Sequence, residues 1–387
     1  MIAPREGDTI VARAYFDLTP AESALRDQVR AFATAYIAPI AAETDATGAF
    51  PAAAIARAAE LGFLGLIVPP AYGGAGAGHV AFALFVEEIA YACAATSVVM
   101  DVHTSVGTEP IVWLGTEEQK ARYLPRLASG DLLGAFALTE PEAGSDAAGL
   151  RATARRDGDD YVLDGSKIFI TNAGHAGLYT VMASTNRERG AKGISAFLVE
   201  AGTPGLTVGP PLHKLGLHGS STCEVFFDGC RAPVANRLSG EGEGFRVAML
   251  ALDSGRIGIS AQAVGIAQAA LDTGISALGP QRAREQGTQF ALADIAVQIE
   301  AARALTWQAA RLCDRGLPFS RQAAMAKLLS TDVAVEATLA VSALVGLDAA
   351  PAHLAAIDRY ARDARATQLY EGTNQIQRVV IARHVLA

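Results

Sequence analysis

Hydrophobic and polar positions follow three different periods along this chain of 387 residues. From the start to about residue 130, apolar residues recur at helical spacing. The stretch "TPAESALRDQVRAF" begins with Thr19 as N-cap, Pro20 in the first helical position and Glu22 closing a capping box. A second capping box, "TEEQ" from Thr116 to Gln119, begins another helix. The pattern predicts an all-α N-terminal domain over residues 1–130.

From about residue 131 to 236 the pattern changes to short apolar runs separated by turn sequences. In "ARRDGDDYVLDGSKIFITNA" the segments "DGDD" and "DGSK" both have turn chemistry. The runs "YTVMAST", "ISAFLVE", "LTVG" and "CEVFFDG" continue the rhythm. We therefore expect a compact antiparallel β-domain over 131–236, folded as a small barrel.

The helical period returns at about residue 237 and continues to the end. The run "GFRVAMLALDSGRIGISAQAVGIAQAALDTGISAL" predicts one long helix that ends at Gly279 and Pro280. Two further long runs and a final helix follow with short links, which is typical of a four-helix bundle over 237–387. The fold class is therefore α+β and multidomain, with the β-domain between two helical domains.

Composition and charge exclude several classes of protein. The chain is 51% hydrophobic and 19% charged, which argues against a disordered or fibrous protein. The net charge is −8 and there is no basic tract, so we expect no nucleic-acid partner. The uncharged run 61–86 is broken by Pro69, Pro70 and Gly73, so we expect no membrane span.

Cysteine and histidine usage indicates a reduced compartment and no metal centre. Four scattered cysteines without a CxxC pair, and an N-terminus without the apolar segment of a signal peptide, predict a cytoplasmic protein. The seven histidines contain no HExxH-like pairing, so no metal site is assigned. The glycine cluster "YGGAGAGHV" lacks a preceding strand and a following Lys-Ser/Thr, which favours a turn between helices over a phosphate loop.

Two segments of the β-domain carry groups suited to a flat polar ligand. In "FALTEPEAGSDAAG", Thr139, Ser145 and the main chain around Gly144 could hold the ligand's edge, and Gly144 permits close approach. A plain surface loop explains this composition equally well. In "IFITN", Phe169 beside Thr171 offers an aromatic face and a hydroxyl at the end of a strand, where a planar cofactor could stack.

A single carboxylate near the C-terminus has two interpretations. Glu371 lies between Tyr370 and Gly372, just before an amphipathic run. An acid near a helix N-terminus is favoured by the helix dipole, so its role could be structural. Alternatively, Glu371 is a general base in a dry pocket.

Taken together, the sequence resembles the acyl-CoA dehydrogenase family. The resemblance covers nearly the whole chain. It rests on the helical–β–helical order and on "LTEPEAGSD", "FITN", "DSGRIGISAQAVGIAQAALD", "RYARDARATQLYEGTNQIQR" and the closing "IARH".

This resemblance implies that FAD binds between the β-domain and the C-terminal bundle. The residues that match cofactor contacts are Phe136, Leu138, Thr139, Gly144, Ser145, Phe169, Ile170, Thr171, Thr373 and Gln375. Those that match positions near the thioester are Ser145, Asp253, Arg256, Tyr370, Gly372 and Arg383. The implied substrate is an acyl thioester of CoA or of an acyl carrier protein, and electron-transferring flavoprotein or oxygen is the implied electron acceptor.

Glu371 matches the catalytic base of the straight-chain members. A desolvated carboxylate has a raised pKa and is a stronger base, which removal of a weakly acidic α-proton requires. By resemblance, the main-chain N–H of Glu371 and a ribityl hydroxyl of FAD stabilise charge on the thioester oxygen. One sub-branch of the family carries its base at the position of Gly255, which has no side chain here.

The sequence departs from the family pattern at two motifs that normally reach a neighbouring subunit's FAD. The segment "ALGPQRAREQGTQFALADIA" is too short to hold R-x-Q-F-G-x-P, and "SALVGLDAA" has Ser342 in place of the glutamine of Q-x-x-G-G. A smaller departure is His218, at a place often held by arginine. Three functions therefore remain open: an FAD-dependent dehydrogenase in a homo- or hetero-oligomer, an FAD-free enzyme of non-redox thioester chemistry, and a non-catalytic partner subunit.

Overall fold

The N-terminal part of the chain is helical, as predicted. A computed structural model describes residues 18–347 and 349–386, so the prediction about a signal peptide lies outside the described residues. Both capping boxes are present, with Thr19 and Thr116 as N-caps. The helices are α1 (Pro20–Phe32), α2 (Ala41–Thr47), α3 (Ala52–Glu60), α4 (Gly78–Ala92), α5 (Ala94–Val102), α6 (Glu109–Leu114) and α7 (Glu117–Ala128).

The glycine cluster before α4 is a turn between helices, as predicted. Gly73 and Gly76 have positive φ values of 84° and 59°, which glycine adopts without strain. At Gly74, an added Cβ would lie 2.1 Å from the carbonyl oxygen of Val68. The chain therefore folds back tightly on itself here, and the conformation explains the glycines without a phosphate.

The β-domain is an open mixed sheet, so the predicted closed antiparallel barrel is wrong. Its strands are β1 (Gly134–Ala137), β2 (Thr153–Asp157), β3 (Asp160–Thr171), β4 (Leu178–Ser184), β5 (Ile194–Glu200), β6 (Leu206–Val208), β7 (Thr222–Pro233) and β8 (Arg237–Leu238). The strand order is β6-β7-β3-β2-β4-β5-β8, and β1 pairs with β4. The β1–β4 pairing is parallel because the β2–β3 hairpin separates these strands and returns the chain in the same direction.

One predicted turn lies inside a strand. "DGDD" does connect β2 to β3, but "DGSK" is part of the continuous strand β3. The register with β7 shifts between Leu163 and Gly165, and Gly165 has a φ of 138°. An added Cβ at Gly165 would lie 2.8 Å from the Cα of Ala152. The turn-like sequence therefore encodes a β-bulge, which packs against the segment around Ala152 in the same chain.

The C-terminal part is a helical bundle, as predicted. It consists of α8 (Gly244–Ala277), α9 (Gln286–Asp314), α10 (Ser320–Val345), α11 (Pro351–Thr367) and the shorter α12 (Asn374–Val385). Helix α8 packs against α9, α10 and α11, and also against α4 of the N-terminal part. One apolar cluster therefore runs through both helical parts, for example from Phe82 and Phe85 on α4 to Ile259 and Ile266 on α8.

By length and composition, α10 is the one helix among the described residues that is apolar enough to cross a membrane. Half of its most apolar window is buried inside the protein. It packs against α8, α9, α11 and α12. The packing is that of a core helix in a bundle.

The division of the chain into three domains at residues 130 and 236 stays a prediction.

Candidate active site

The segment between α11 and α12 holds Glu371 in an unusual backbone conformation. Glu371 has a φ of 54° and Gly372 a φ of 84°, so two consecutive residues are left-handed. This conformation costs a non-glycine residue about 1–3 kcal/mol and persists only where the surroundings enforce it. The buried Gln377 donates from Nε2 to the carbonyl oxygens of Glu371 at 3.1 Å and Gly372 at 2.8 Å. The turn is thereby fixed from within the bundle.

A buried lysine on α10 also holds this turn in place. Lys327 on α10 is fully buried, and its Nζ donates to the Gly372 carbonyl oxygen at 2.9 Å and to Asn374 Oδ1 at 2.8 Å. Burial lowers the pKa of Lys327 to about 7, although the charge of Glu371 opposes this effect. Lys327 therefore contacts the turn through hydrogen bonds and the Glu371 carboxylate through its charge.

The carboxylate of Glu371 points at α8. An added Cβ at Gly255 would lie 2.7 Å from the Glu371 Cδ atom, so any side chain at this position would displace the carboxylate. The Oε2 atom of Glu371 is buried and has no hydrogen-bond partner among the described residues. Burial raises the pKa of Glu371 to about 7, while the charges of Arg256 and Lys327 oppose the rise. The group is thus a partly ionised base at neutral pH.

These facts favour the general-base interpretation over the helix-end interpretation. The N-cap of α12 is Thr373, whose side chain accepts from the Ile376 N–H at 3.4 Å. A carboxylate that served the helix dipole would accept from the first-turn N–H groups or lie exposed beside them. Glu371 instead directs an unpaired oxygen into the interior against Gly255.

The predicted thioester residues of α8 lie beside the turn. Asp253 Oδ1 accepts from Arg256 Nη1 and from Ser320 Oγ, the latter at 3.0 Å. Arg256 Nε donates to the Glu371 carbonyl oxygen at 3.4 Å. Arg383 is exposed near the end of α12, and the charge of its neighbour His384 acts on Asp253. Arg256, Tyr370 and Gly372 therefore lie beside Glu371, Asp253 is linked to it through Arg256, and Arg383 is on the exposed part of α12.

A second buried carboxyl group, Asp101 on α5, lies near Glu371. Both of its oxygens are buried without a hydrogen-bond partner among the described residues, and an added Cβ at Gly258 would clash with Oδ1 at 1.8 Å. Burial and the charge of Glu371 raise the pKa of Asp101 well above its ordinary value. Tyr370 is close to both acids, and its hydroxyl donates to Gln262 Oε1 at 2.6 Å.

The two predicted cofactor segments of the β-domain are joined by a buried ion pair. Lys167 Nζ lies 2.7 Å from Glu140 Oε1, and the Ile168 N–H donates to the Thr139 carbonyl oxygen at 2.9 Å. Phe169 has a φ of 61° at a register shift in β3, and 63% of its surface is exposed. The aromatic ring therefore projects from the sheet next to Thr139.

The remaining cofactor candidates divide into exposed and buried groups. Gly144, Ser145 and Gln375 are exposed, and an added Cβ at Gly144 would meet nothing within 4 Å. Phe136, Thr171 and Thr373 are half-buried, and Leu138 and Ile170 are buried. The side chain of Ile170 belongs to the core of the sheet, so only its main chain is available to a ligand. An exposed ring flanked by hydroxyl groups and open main chain fits one face and edge of a flavin.

The structure also shows where the departures from the family pattern lie. The exposed connection between α8 and α9 carries Arg282, whose Nη1 donates to the Val345 carbonyl oxygen at 3.0 Å at the end of α10. The two places where motifs are missing therefore contact each other. His218 bonds through its ring to the carbonyl oxygens of Asp45 at 2.8 Å and Lys214 at 3.0 Å, which is a structural role.

Sequence reasoning missed Lys327, Asp101 and Gln377 as parts of this site. Lys327 and Asp101 each interrupt an apolar helical run, in "AAMAKLLS" and "SVVMDVH". A charged residue within such a run indicates a buried polar site and could have identified both residues. Among the described residues, no group of three or more His, Cys, Asp or Glu side chains is arranged to hold a metal ion.

Comparison with known proteins identifies the family. Three family models match: the N-terminal domain of acyl-CoA dehydrogenase over residues 19–131, the middle domain over 135–230 and the C-terminal domain over 242–386. An acyl-CoA dehydrogenase of Bacillus subtilis is 48% identical and covers 95% of this chain and 99% of its own. The mitochondrial short-chain specific acyl-CoA dehydrogenase of Mus musculus is 44% identical, covering 96% and 91%.

A solved structure has the same fold. The butyryl-CoA dehydrogenase of Megasphaera elsdenii superposes with a TM-score of 0.93 at 39% identity, covering 96% of this chain and 100% of its own. Members of this family are FAD-dependent flavoproteins that oxidise acyl-CoA substrates. The predicted family is therefore confirmed, and this chain belongs to the acyl-CoA dehydrogenase family.

Proposed function

We propose that this protein dehydrogenates short-chain acyl-CoA thioesters between the α and β carbons, with Glu371 as the base that removes the α-proton. The observation that supports this proposal most directly is the buried, unpaired Oε2 of Glu371, on a turn held by Lys327 and Gln377. The short chain length is supported by the similarity to the short-chain specific enzyme and to butyryl-CoA dehydrogenase.

Each residue of the site has a part in this proposal. Glu371, with a pKa raised by burial to about 7, is ionised often enough at neutral pH to accept a proton. Arg256 fixes the Glu371 carbonyl and is itself held by Asp253. Tyr370, whose hydroxyl is fixed by Gln262, and the buried Asp101 lie near the Glu371 carboxylate.

Thr139, Ser145, Phe169 and Thr171 would hold FAD, together with the main chain around Gly144 and, from the bundle, Thr373 and Gln375. When bound, FAD supplies the acceptor for the β-hydrogen, which leaves with its electron pair. Electron-transferring flavoprotein is the proposed onward acceptor. In the proposed reaction the α-carbon loses a proton to Glu371, the β-carbon loses a hydride to the acceptor that FAD would supply, and a double bond forms between the two carbons.

The test is Glu371→Gln, which keeps the shape of the side chain but removes the proton acceptor. We expect turnover of butyryl-CoA to fall by about 10²–10⁴-fold, while folding and ligand binding persist. The control is Glu60→Gln, which removes an exposed carboxylate paired with Arg57 on the surface. Wild-type turnover in Glu371→Gln would show that another group takes the proton.

The missing motifs support a second candidate, an assembly that holds FAD weakly or not at all. Exposed apolar side chains on the bundle, including Phe290, Val297, Leu339 and Leu347, favour an oligomer, either of this chain or with a different family subunit. In either case the chain expressed alone binds FAD less tightly than its relatives, because fewer donors meet the pyrophosphate.

Flavin content and mass measured together decide this point. We expect the purified protein to gain flavin on addition of FAD and to have a mass above that of the monomer by light scattering. Full, non-exchangeable FAD in a simple homotetramer would show that the missing motifs are not needed. Thioester turnover without flavin would favour non-redox chemistry. An acyl-carrier-protein substrate and a cytoplasmic location stay predictions.

A further inference from the structure

A cavity of about 590 Å³ lies apart from the Glu371 site, between the N-terminal helices and the bundle. It is bounded by α4, α6, the first turns of α8 and the connection from α9 to α10. Its volume is within the range of sites that bind small organic molecules. No residue proposed above to contact FAD or the thioester lines it.

Most of the cavity wall is apolar and partly aromatic. The apolar lining residues are Ile67, Val112, Trp113, Leu250, Leu317 and Phe319. The ring of Trp113 lies 6.0 Å from the ring of His79, so an aromatic face stands next to the polar part of the wall. Such a lining favours a ligand with an apolar or aromatic body.

One part of the wall is a cluster of titratable side chains centred on His79. Its Nδ1 lies 2.8 Å from Asp314 Oδ1, and its Nε2 contacts Glu109 Oε1 and lies 3.5 Å from the Sγ atom of Cys313. Asp314 also accepts from the main-chain N–H groups of His79 at 2.5 Å and Val80 at 3.2 Å. Both ring nitrogens of the histidine are therefore engaged by carboxylates.

The cluster carries a negative charge and an unsatisfied acceptor. Burial opposes charge on His79, but Glu109 and Asp314 together raise the pKa of the imidazole, so it stays protonated. Two carboxylates around one imidazolium leave one negative charge. Glu109 is only 1% exposed, and its second oxygen, Oε2, has no hydrogen-bond partner among the described residues. The exposed Arg246 lines the same cavity from α8 and lies 4.0 Å from Glu243.

A buried carboxylate oxygen without a donor is unfavourable, and a ligand that supplies an N–H group removes this cost. A cation is preferred to a neutral donor because the cluster is negative, and an adjacent indole face attracts an ammonium group. An anion is disfavoured by Glu109 and Asp314. A structural ion network would explain the His79 contacts, but it leaves Glu109 Oε2 unexplained.

We propose that this cavity binds a small organic ammonium ion with an apolar or aromatic body. Its N–H group donates to Glu109 Oε2, and its body lies against Trp113 and Leu250. The cavity also adjoins the elements of the active site. Phe319 precedes Ser320, which bonds Asp253, and Leu250 lies one helical turn before Asp253 on α8. This inference does not depend on the proposed dehydrogenation.

The experiment titrates the purified full-length protein with three molecules of similar shape: phenethylammonium, 2-phenylethanol and phenylacetate. Binding is measured by calorimetry and by tryptophan fluorescence, which reports on Trp113, one of two tryptophans in the chain. We expect the cation to bind at least tenfold more tightly than the alcohol or the acid. Equal binding of all three, or no binding of the cation at millimolar concentration, overturns the proposal.

Two variants locate the site. Glu109→Gln removes the charge and should weaken phenethylammonium binding at least tenfold, whereas Glu60→Gln, at an exposed position outside the cavity, should not change it. Leu250→Phe adds a ring to the cavity wall and should weaken binding of the cation without changing any charge. If Glu109→Gln does not fold, Leu250→Phe and the three-ligand series still decide. Unchanged affinity in Leu250→Phe places the cation elsewhere and overturns the assignment.

Discussion

Replacing Lys327 with methionine removes the buried charge beside the turn that carries Glu371 and nearly keeps the volume of the side chain. In the wild type, the Lys327 Nζ donates to the Gly372 carbonyl oxygen and to Asn374 Oδ1. The Gly372 carbonyl oxygen has another donor, Gln377, whereas the single hydroxyl proton near Asn374 Oδ1, that of Thr331, is shared with the closer Lys327 carbonyl oxygen at 2.7 Å. The substitution therefore leaves the Gly372 carbonyl oxygen paired and weakens the pairing of Asn374 Oδ1.

Both the stability and the pH dependence should change by amounts that the contacts determine. Loss of hydrogen bonds from a charged group costs about 1.5–3 kcal/mol, and the remaining donor to Gly372 should keep the decrease in the free energy of unfolding within that range. The positive charge of Lys327 lowers the pKa of Glu371 from what burial alone would give. Its removal therefore raises the pKa of Glu371 above about 7.

The assay is kcat/KM for butyryl-CoA from pH 5.5 to 9, together with urea unfolding. A base must be deprotonated to act, so activity is lost as the pH falls through the pKa of Glu371. In Lys327→Met this loss should begin at a higher pH, with a plateau at high pH close to that of the wild type. Lys327→Gln keeps a donor without the charge and should show the pH change with a smaller loss of stability.

Lys120→Met removes a surface lysine that pairs with Glu117 and serves as the control. If the pH at which kcat/KM is lost on the acidic side were the same in Lys327→Met as in the wild type, the electrostatic coupling between this lysine and Glu371 would be refuted. A free energy of unfolding that falls by less than about 0.5 kcal/mol, the size of ordinary surface effects, would refute the role of its hydrogen bonds.

Two further predictions concern the carboxylate and the cofactor. Gly255→Ala should push the Glu371 carboxylate out of place and lower turnover at least tenfold, because the new Cβ would lie 2.7 Å from Cδ. Gly287→Ala, where an added Cβ meets nothing within 4 Å, is the matched control in stopped-flow assays, and equal rates in the two variants would contradict the packing argument. Ser145→Ala combined with Thr171→Ala should lower flavin content without unfolding the β-domain, since each lost bond to a charged group costs about 1.5–3 kcal/mol. Unchanged flavin absorbance per protein would count against this placement of FAD.

The sequence predicted those parts of the fold that depend on local chemistry. The capping boxes at Thr19 and Thr116 and the long period of α8 are encoded within a few residues, and the structure has each of them. The bulge at Gly165 and the parallel pairing of β1 with β4 depend on partners far along the chain. Local pattern therefore gave a turn and a closed barrel where neighbouring strands produce a bulge and an open mixed sheet.

The same limit applies to the candidate site. Glu371 was found because its surrounding motif resembles a family, and its buried position against Gly255 supports that assignment. Lys327 and Asp101 were missed because the sequence does not say which side of an apolar helix meets the site. Only the packing of α10 and α5 around α8 brings these charged groups toward the carboxylate.

The apolar cluster shared by α4 and α8 has a consequence for synthesis of the protein. The β-domain is inserted between two halves of one helical core, so the side of α4 that packs against α8 cannot be buried until α8 has been made, although α1 and α5 cover other parts of α4. At 5–20 residues per second, the intervening chain takes roughly ten to thirty seconds to emerge from the ribosome. During that interval the nascent N-terminal helices expose a large apolar surface, which makes them a natural client for a ribosome-associated chaperone.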